Sequence, residues 1–152
     1  MNVIAVLNKG GGTLRTIDVD EFCQKAVETF EAAGHRLECR VVEGKDLTAT
    51  LEAVAKEPDL DLMIAGGGDG TISAAAKVAF EAGVPLGVLP AGTMNLFART
   101  LGLPLDLDEA LVALAHGELG VADIATANGE PFVHQFSVGI HARLVRIRDG
   151  LN

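Results

Sequence analysis

Residues 60–71 of the chain read LDLMIAGGGDGT, an apolar run that ends in three consecutive glycines, an aspartate, a glycine and a threonine. A short apolar run of this kind is typical of a β-strand buried on both faces, as in a parallel sheet. Glycines after such a strand let backbone N–H groups approach an anion closely, and a following helix adds its positive dipole end. The stretch therefore predicts an α/β fold with a phosphate-binding loop at the carboxyl edge of its sheet.

The sequence before and after this stretch alternates between strand and helix patterns up to about residue 117. Strands are predicted at 3–7, 36–42, 60–65 and 85–89, and helices between Asp18 and Gly34 and at 71–82 and 108–116. An apolar stripe at Leu47, Leu51 and Val54 stops before Pro58, and residues 92–101 are predicted to form an irregular turn into a short helix. Such alternation implies right-handed crossovers between parallel strands. The predicted fold is a three-layer α/β arrangement, a mainly parallel sheet with helices on both faces.

The pattern changes from Val121 onward. Asn128-Gly129 is a type I′ hairpin signal, and apolar residues alternate at period two from Phe132 to Ile140. We predict an α/β nucleotide-binding domain over residues 1–120 and the beginning of a truncated, antiparallel, β-rich second domain over residues 121–152. Because a lone hairpin is only marginally stable in water, we expect the chain to be the amino-terminal portion of a longer protein.

Composition excludes several classes of protein. The chain has 152 residues, 49% of them hydrophobic, and a formal net charge of -9 that repels polyanions and argues against a nucleic-acid partner. The longest uncharged stretch, residues 82–98, is interrupted by glycine and proline and is shorter than the roughly 20 residues of a membrane span. Cys23 and Cys39 match no zinc pattern and are predicted to be small buried hydrophobic residues.

The glycine-rich loop differs from the two commonest phosphate-binding motifs. In a G-x-G-x-x-G motif starting at Gly66, the sixth position is Thr71 rather than glycine, and no P-loop motif occurs in the chain. The triplet at residues 10–12 also fails, because Arg15 stands at the sixth position. Asp69 has three open roles: it could bind Mg²⁺, accept a proton from an attacking hydroxyl, or cap the next helix.

The loop at 66–71 and the segment 90–99, PAGTMNLFAR, together resemble the catalytic domain of the diacylglycerol kinase family, which includes bacterial lipid kinases, sphingosine kinases and ceramide kinases. Both motifs occur in the family's order and at its usual separation. Residues 136–142, FSVGIHA, are similar to the family's passage into its second domain. The resemblance implies an ATP- and Mg²⁺-dependent kinase of lipid metabolism and phospholipid biosynthesis, which transfers the γ-phosphate to a lipid hydroxyl.

The resemblance also implies roles for individual residues. Thr93 would bond a phosphate, Asn95 would brace its loop, and Asn8 with the backbone near Val42 would border the ribose and adenine. Asp69 matches the motif aspartate, with a catalytic or metal-organising role, and the metal ligands are unknown. The residues that would cradle the phosphates are Gly66, Gly67, Gly68, Gly70 and Thr71.

The chain departs from the family pattern at a few positions. Ser73 and Ala74 stand where many members have Asn-Glu, Leu96 where many have Asp, and Lys9 where Pro or Ala often follows the first Asn. Two alternatives therefore stay open: an NAD kinase, and a nucleotide-binding module without catalytic activity. In bacterial lipid kinases the second domain supplies further acidic residues, so we expect this chain by itself to bind nucleotide weakly and to transfer no phosphate.

The sequence and the resemblance also predict where the protein acts and what it contacts. We predict a cytoplasmic protein that binds ATP and a lipid substrate and contacts the membrane surface transiently. Its oligomeric state is unknown, and a homodimer is one of the states left open. A basic cluster near the end of the chain would either contact an anionic surface or, as we favour, be a solvated chain segment. Its members are His141, Arg143, Arg146 and Arg148.

Overall fold

The computed structural model describes residues 1–134 of the chain. Four parallel strands form its main sheet, in the order β2-β1-β3-β4. Along the sheet, Asn8 is paired with Val42, Leu7 with Gly66 and Gly67 with Pro90, so all four strands end at one edge. The strands are β1 (Asn2–Asn8), β2 (Arg36–Val42), β3 (Leu62–Gly67) and β4 (Leu86–Pro90).

Five helices cover the two faces of this sheet. Alternate residues of β1 enter opposite cores, with Leu7 on one side and Val6 on the other, which explains why the whole run is apolar. The core around Leu7 is covered by α1 (Val19–Ala32) and α5 (Leu107–His116), and the core around Val6 by α2 (Leu47–Val54), α3 (Asp69–Ala82) and α4 (Leu96–Thr100). The three-layer prediction is confirmed. Within residues 1–134, none of the helices is long and apolar enough to cross a bilayer.

The boundaries of β3 and α3 differ from the prediction in a way that matters for the site. β3 continues through Gly66 and Gly67, which pair with β4, and α3 begins at Asp69, two residues before the predicted start at 71. Asp69 and Gly70 therefore lie in the first turn of a helix rather than in a loop. Two short 3-10 turns, Gly12–Arg15 and Gly44–Asp46, were not predicted.

A small antiparallel hairpin follows the sheet. It consists of β5 (Ala125–Ala127) and β6 (Glu130–Phe132), with positive φ at both Asn128 and Gly129, as the type I′ turn requires. The predicted hairpin is thus confirmed, and β6 contacts α3 through an ion pair between Glu130 and Lys77. The rest of the predicted period-two segment, the 136–142 motif and the basic cluster lie outside the described residues. The domain division after residue 120 stays a prediction.

Candidate nucleotide-binding site

Three segments meet at the carboxyl edge of the sheet, residues 8–12, 66–71 and 91–96, and we call them the first, second and third loops. They lie at the ends of β1, β3 and β4, which are neighbours in the sheet, and the second consists of the last residues of β3, Gly68 and the first turn of α3. Backbone hydrogen bonds join them: the Ala91 N–H donates to the Gly67 carbonyl at 3.0 Å, and the Thr13 N–H donates to the Ala91 carbonyl at 2.7 Å. The loops therefore form one structure whose parts hold each other in place.

Four glycines of these loops are required by the protein's own packing, because a Cβ on each would lie less than 3 Å from another atom of the site. One of them also has a positive φ, +49°, which favours glycine. The distances from such a Cβ are 2.5 Å from Gly66 to the Leu7 side chain, 2.5 Å from Gly67 to the Thr71 hydroxyl, 2.5 Å from Gly92 to the Gly68 Cα, and 1.8 Å from Gly12 to the Ala91 carbonyl oxygen.

Gly68 and Gly70 are different, because the fold does not require glycine at either position. A Cβ on Gly70 would meet nothing within 4 Å, and one on Gly68 would make an ordinary 3.5 Å contact with the Gly92 Cα. Neither residue has a positive φ. Gly68 is the N-cap of α3, and no side chain caps this helix. The first N–H groups of a helix have no partner within it, and no side chain caps those of α3. This geometry suits an anion.

The Asp69 carboxylate joins the second and third loops. It accepts the Asn95 N–H at 3.1 Å and the Leu96 N–H at 2.7 Å, one with each oxygen, in a partly buried position. These donors lie at the start of α4. Of the three roles that the sequence leaves open, these contacts match capping, although the capped helix is α4 and not α3, which Asp69 itself begins.

Two asparagines hold the loops from within. Asn95 has left-handed backbone angles, φ 51° and ψ 45°, and its buried side chain both accepts the Gly92 N–H at 2.8 Å and donates to the Gly92 carbonyl at 2.9 Å. The Asn8 amide donates to the Thr71 hydroxyl at 3.0 Å and accepts the Gly10 N–H at 3.1 Å. Asn8 thus connects the first loop to the second, while Asn95 shapes the third.

The remaining predicted residues border this arrangement. The Val42 carbonyl accepts the Lys9 N–H at 3.1 Å, which places the end of β2 beside the first loop. Thr93 is exposed on the third loop. The Lys9 ammonium pairs with Glu43 at 2.9 Å, and this hydrogen bond raises the pKa of Lys9. The structure therefore brings all the predicted site residues to one edge of the sheet, and their binding roles stay predictions.

The carboxylates near the loops do not form a metal-binding cluster by themselves. Among residues 1–134, no group of three or more His, Cys, Asp or Glu side chains is arranged to hold a metal ion. Asp69 uses both oxygens to accept N–H groups, which leaves only its remaining lone pairs for other contacts. Mg²⁺ usually binds through one or two carboxylates together with substrate phosphates.

An apolar cavity lies away from the three loops. It has a volume of about 640 Å³ and runs beside the edge strand β4, between α3, α5 and residues 117–124. Its wall is mostly apolar and includes Phe80, Leu114 and Val121. None of the predicted site residues lines it.

Sequence reasoning missed two contributors to the site, Gly12 and Thr13. Gly12 allows the first loop to touch the third, and the Thr13 N–H completes that contact. The signal was present in the glycine triplet at 10–12, which follows β1 directly. The triplet does not fit a dinucleotide-binding motif, but it also marks a place where two backbones approach each other.

Known proteins resemble this chain in sequence and in fold. Residues 2–127 match the family model described as the diacylglycerol kinase catalytic domain. A probable lipid kinase YegS from Escherichia fergusonii is 35% identical over 82% of this chain and 44% of its own length, and a diacylglycerol kinase from Staphylococcus epidermidis is 38% identical over 72% and 35%. The crystal structure of a diacylglycerol kinase from Bacillus anthracis str. Sterne superimposes with a TM-score of 0.72 at 31% identity, covering 86% of this chain and 49% of that one.

Fold and site together define a class of protein, an α/β domain with a glycine-rich edge at which three parallel strands end. With the match over residues 2–127, the chain belongs to the diacylglycerol kinase catalytic domain family. The resemblance given by the two sequence motifs is confirmed. The chain spans less than half the length of these relatives.

Proposed function

We propose that the chain is the nucleotide-binding part of an ATP-dependent lipid kinase, which transfers the γ-phosphate of ATP to a lipid hydroxyl. The observation that carries the proposal is the amino end of α3, which no side chain caps and which has glycine at its N-cap, Gly68, and at Gly70, two positions where packing does not require glycine. Such an end offers free N–H groups and a positive dipole to a phosphate. Membership of the family supports the same assignment.

In this proposal the phosphates of ATP lie against the backbone of residues 68–71. Phosphoryl transfer has a loose transition state, so it needs positioning and stabilisation of charge more than covalent chemistry. Mg²⁺ carried by the nucleotide would neutralise part of the phosphate charge. Asp69 would act as a positioning residue, because its two hydrogen bonds fix the third loop, with Thr93, relative to the amino end of α3.

The nucleoside would extend toward the end of β2. Asn8 fixes the first loop against Thr71, and the Val42 carbonyl holds the backbone of Lys9. These contacts form a border between the first loop and the turn that follows β2. They support a ribose and adenine position next to Asn8 and Val42, as the family resemblance implies.

A lipid acceptor is supported by the names of the relatives, a probable lipid kinase and a diacylglycerol kinase. The transfer reaction is a proposal for the whole protein, because this chain spans 44% and 35% of those relatives. An assay must distinguish this lipid kinase from the two alternatives, a kinase that phosphorylates NAD and a nucleotide-binding module that transfers no phosphate.

Nucleotide binding is tested by Gly70→Ala. The new Cβ has room in the protein and favours the helix, so stability should rise by up to ~1 kcal/mol. The same methyl group would stand between a phosphate and the helix N–H groups, so binding of a fluorescent ATP analogue with Mg²⁺ should weaken about tenfold, a loss of about 1.4 kcal/mol.

The matched control is Gly120→Ala. A Cβ on Gly120 also meets nothing within 4 Å, and its φ is not positive, but Gly120 lies outside the three loops. Binding by this variant should equal that of the unmodified chain. Equal affinity in both variants would contradict a phosphate site at the amino end of α3.

The acceptor is tested with γ-labelled ATP and Mg²⁺, offering diacylglycerol in mixed micelles and NAD in parallel reactions. We expect the 152-residue chain to bind ATP without transfer, and the full open reading frame that encodes it to label the lipid. Labelled NADP would establish the NAD kinase alternative. Binding without any transfer by the full reading frame would establish the non-catalytic module.

A further inference from the structure

The side chain of Arg99 contacts the third loop. Arg99 lies in α4, and its Nε donates a hydrogen bond to the Met94 carbonyl at 2.8 Å, so the side chain runs back from the helix to the loop that precedes it. Lys9 and Lys77, which lie on the first loop and on α3, pair with carboxylates instead. Arg99 thus holds a backbone group of the candidate site.

The Met94 carbonyl that Arg99 contacts belongs to the same peptide unit as the Asn95 N–H. That N–H donates to the Asp69 carboxylate at 3.1 Å. The peptide is trans, so its C=O and N–H groups point in opposite directions. Arg99 and Asp69 therefore hold this peptide from opposite sides, with a cation at its oxygen and an anion at its hydrogen.

The two bonds support each other and the conformation of the residue that follows. A guanidinium at the carbonyl and a carboxylate at the N–H both increase the dipole of the same peptide, so each bond strengthens the other. Asn95 has left-handed backbone angles, φ 51° and ψ 45°, which are uncommon for residues other than glycine. Bonds at both ends of the preceding peptide oppose its return to a commoner conformation.

This arrangement leaves a defined set of donors on the third loop. The Asn95 side chain occupies both the N–H and the carbonyl of Gly92, and Asp69 accepts the Asn95 N–H. In the described part of the chain, no partner is found for the Thr93 hydroxyl or for the N–H groups of Thr93 and Met94. These three groups are the donors that the loop can offer to an anion.

We propose that Arg99 is a positioning residue of the nucleotide site. Through the Met94 carbonyl, and together with Asp69, it fixes the third loop in the orientation that presents the free donors to a phosphate. The inference rests on the proposed function, because the phosphate is the one that ATP carries. Arg99 acts by the hydrogen bond of its Nε, and not by attraction between its charge and the phosphate.

Two substitutions at Arg99 separate the donor from the charge. Glutamine carries an N–H donor at the same number of bonds from Cα as the Nε of arginine, but no charge. Binding of a fluorescent ATP analogue with Mg²⁺ should weaken about fivefold in Arg99→Ala, a modest loss because the bond is exposed. The control, Arg36→Gln, removes the same charge from an exposed residue at the start of β2, on the opposite edge of the sheet. Arg99→Gln should bind within about twofold of this control.

The hold on the peptide can be measured without nucleotide, by hydrogen exchange of the Asn95 amide followed by NMR. Exchange should be about fivefold faster in Arg99→Ala, and unchanged in Arg99→Gln and Arg36→Gln. Circular dichroism checks that each variant is folded. The melting temperature of Arg99→Ala should fall by no more than about 4 °C, because one exposed hydrogen bond is lost.

A double variant tests whether Arg99 and Asp69 act on the same peptide. Asp69→Asn combined with Arg99→Ala should weaken ATP binding by less than the product of the two separate losses, because the second change acts on a peptide that the first has already released.

Three results would overturn the role of Arg99: ATP binding and Asn95 exchange in Arg99→Ala that equal those of Arg36→Gln, binding by Arg99→Gln as weak as that of Arg99→Ala, or separate losses that multiply in the double variant. Absence of ATP binding by the unmodified chain would instead contradict the proposed function. The exchange rates of Asn95 would then still show whether Arg99 holds the loop.

Discussion

At the scale of single residues, the two hydrogen bonds that the Asp69 carboxylate accepts should contribute measurably to the free energy of unfolding. Asp69→Asn keeps the shape of the side chain but turns one N–H acceptor into an NH₂ donor that faces a backbone N–H of Asn95 or Leu96. Losing one acceptor in a partly buried place should lower the free energy of unfolding by about 1–3 kcal/mol. Urea denaturation followed by circular dichroism measures this change.

The control for this variant is Asp59→Asn, the same change in an exposed side chain before β3. It should leave the stability within about 0.5 kcal/mol of the unmodified chain. Unchanged stability in Asp69→Asn as well would show that the carboxylate does not brace the two loops, and would favour the chemical roles that the sequence also allowed.

The sequence identified Asp69 but could not identify what it contacts. Its partners are 26 and 27 residues away, and they meet only because β3 and β4 are paired and end together. Local patterns reveal residue types, whereas contacts of this range require the sheet.

At the scale of elements, helix caps were readable because they depend on three or four successive residues. Asp18 caps α1 and accepts the N–H groups of Asp20 and Glu21, both at 3.1 Å. Asp18→Ala should lower the free energy of unfolding by ~1 kcal/mol, and Asp18→Ser should retain most of the stability because its hydroxyl also accepts an N–H. Chemical denaturation of the three proteins measures the difference.

A matched change in the same turn tests whether the cap or the charge is responsible. Asp20→Ala removes an acidic side chain near the helix dipole but no capping bond, so its effect should be roughly half that of Asp18→Ala or less. Losses of the same size in both variants would assign the stabilisation to charge alone.

The bounds of β2 matched the prediction, and so did the hairpin turn at Asn128-Gly129, because each depends on a local pattern. The start of α3 did not, since glycine is a poor helix former and the pattern alone placed Asp69 and Gly70 in a loop. Strand pairing of Gly66 and Gly67 with β4 leaves no residues for that loop.

At the scale of the whole molecule, alternating strands and helices were enough to predict three layers, but they did not give the order of strands, in which β1 lies between β2 and β3. They also gave no sign of the apolar cavity beside β4. That cavity is open enough that Phe80 is 54% exposed and Val121 is fully exposed.

An open apolar cavity should bind a hydrophobic dye. We expect the fluorescence of anilinonaphthalene sulfonate to rise with the folded chain and to fall by about half in Phe80→Ser, because the ring forms part of the wall. Val112→Ser is the control, since Val112 on α5 is 52% exposed and lies outside the cavity. Equal losses in both variants, or no dye binding by the unmodified chain, would contradict a cavity that is accessible in solution.

The two kinds of glycine at the sheet edge differ in what their replacement would reveal. On the proposed function, a copy of this gene that is released from selection for phosphate binding should keep Gly12, Gly66, Gly67 and Gly92, because side chains there would disturb the packing of the loops. Side chains should appear first at Gly68 and Gly70, where substitution leaves the fold intact. The residues at those two positions should therefore distinguish chains that bind a phosphate from chains that share the motif and do not.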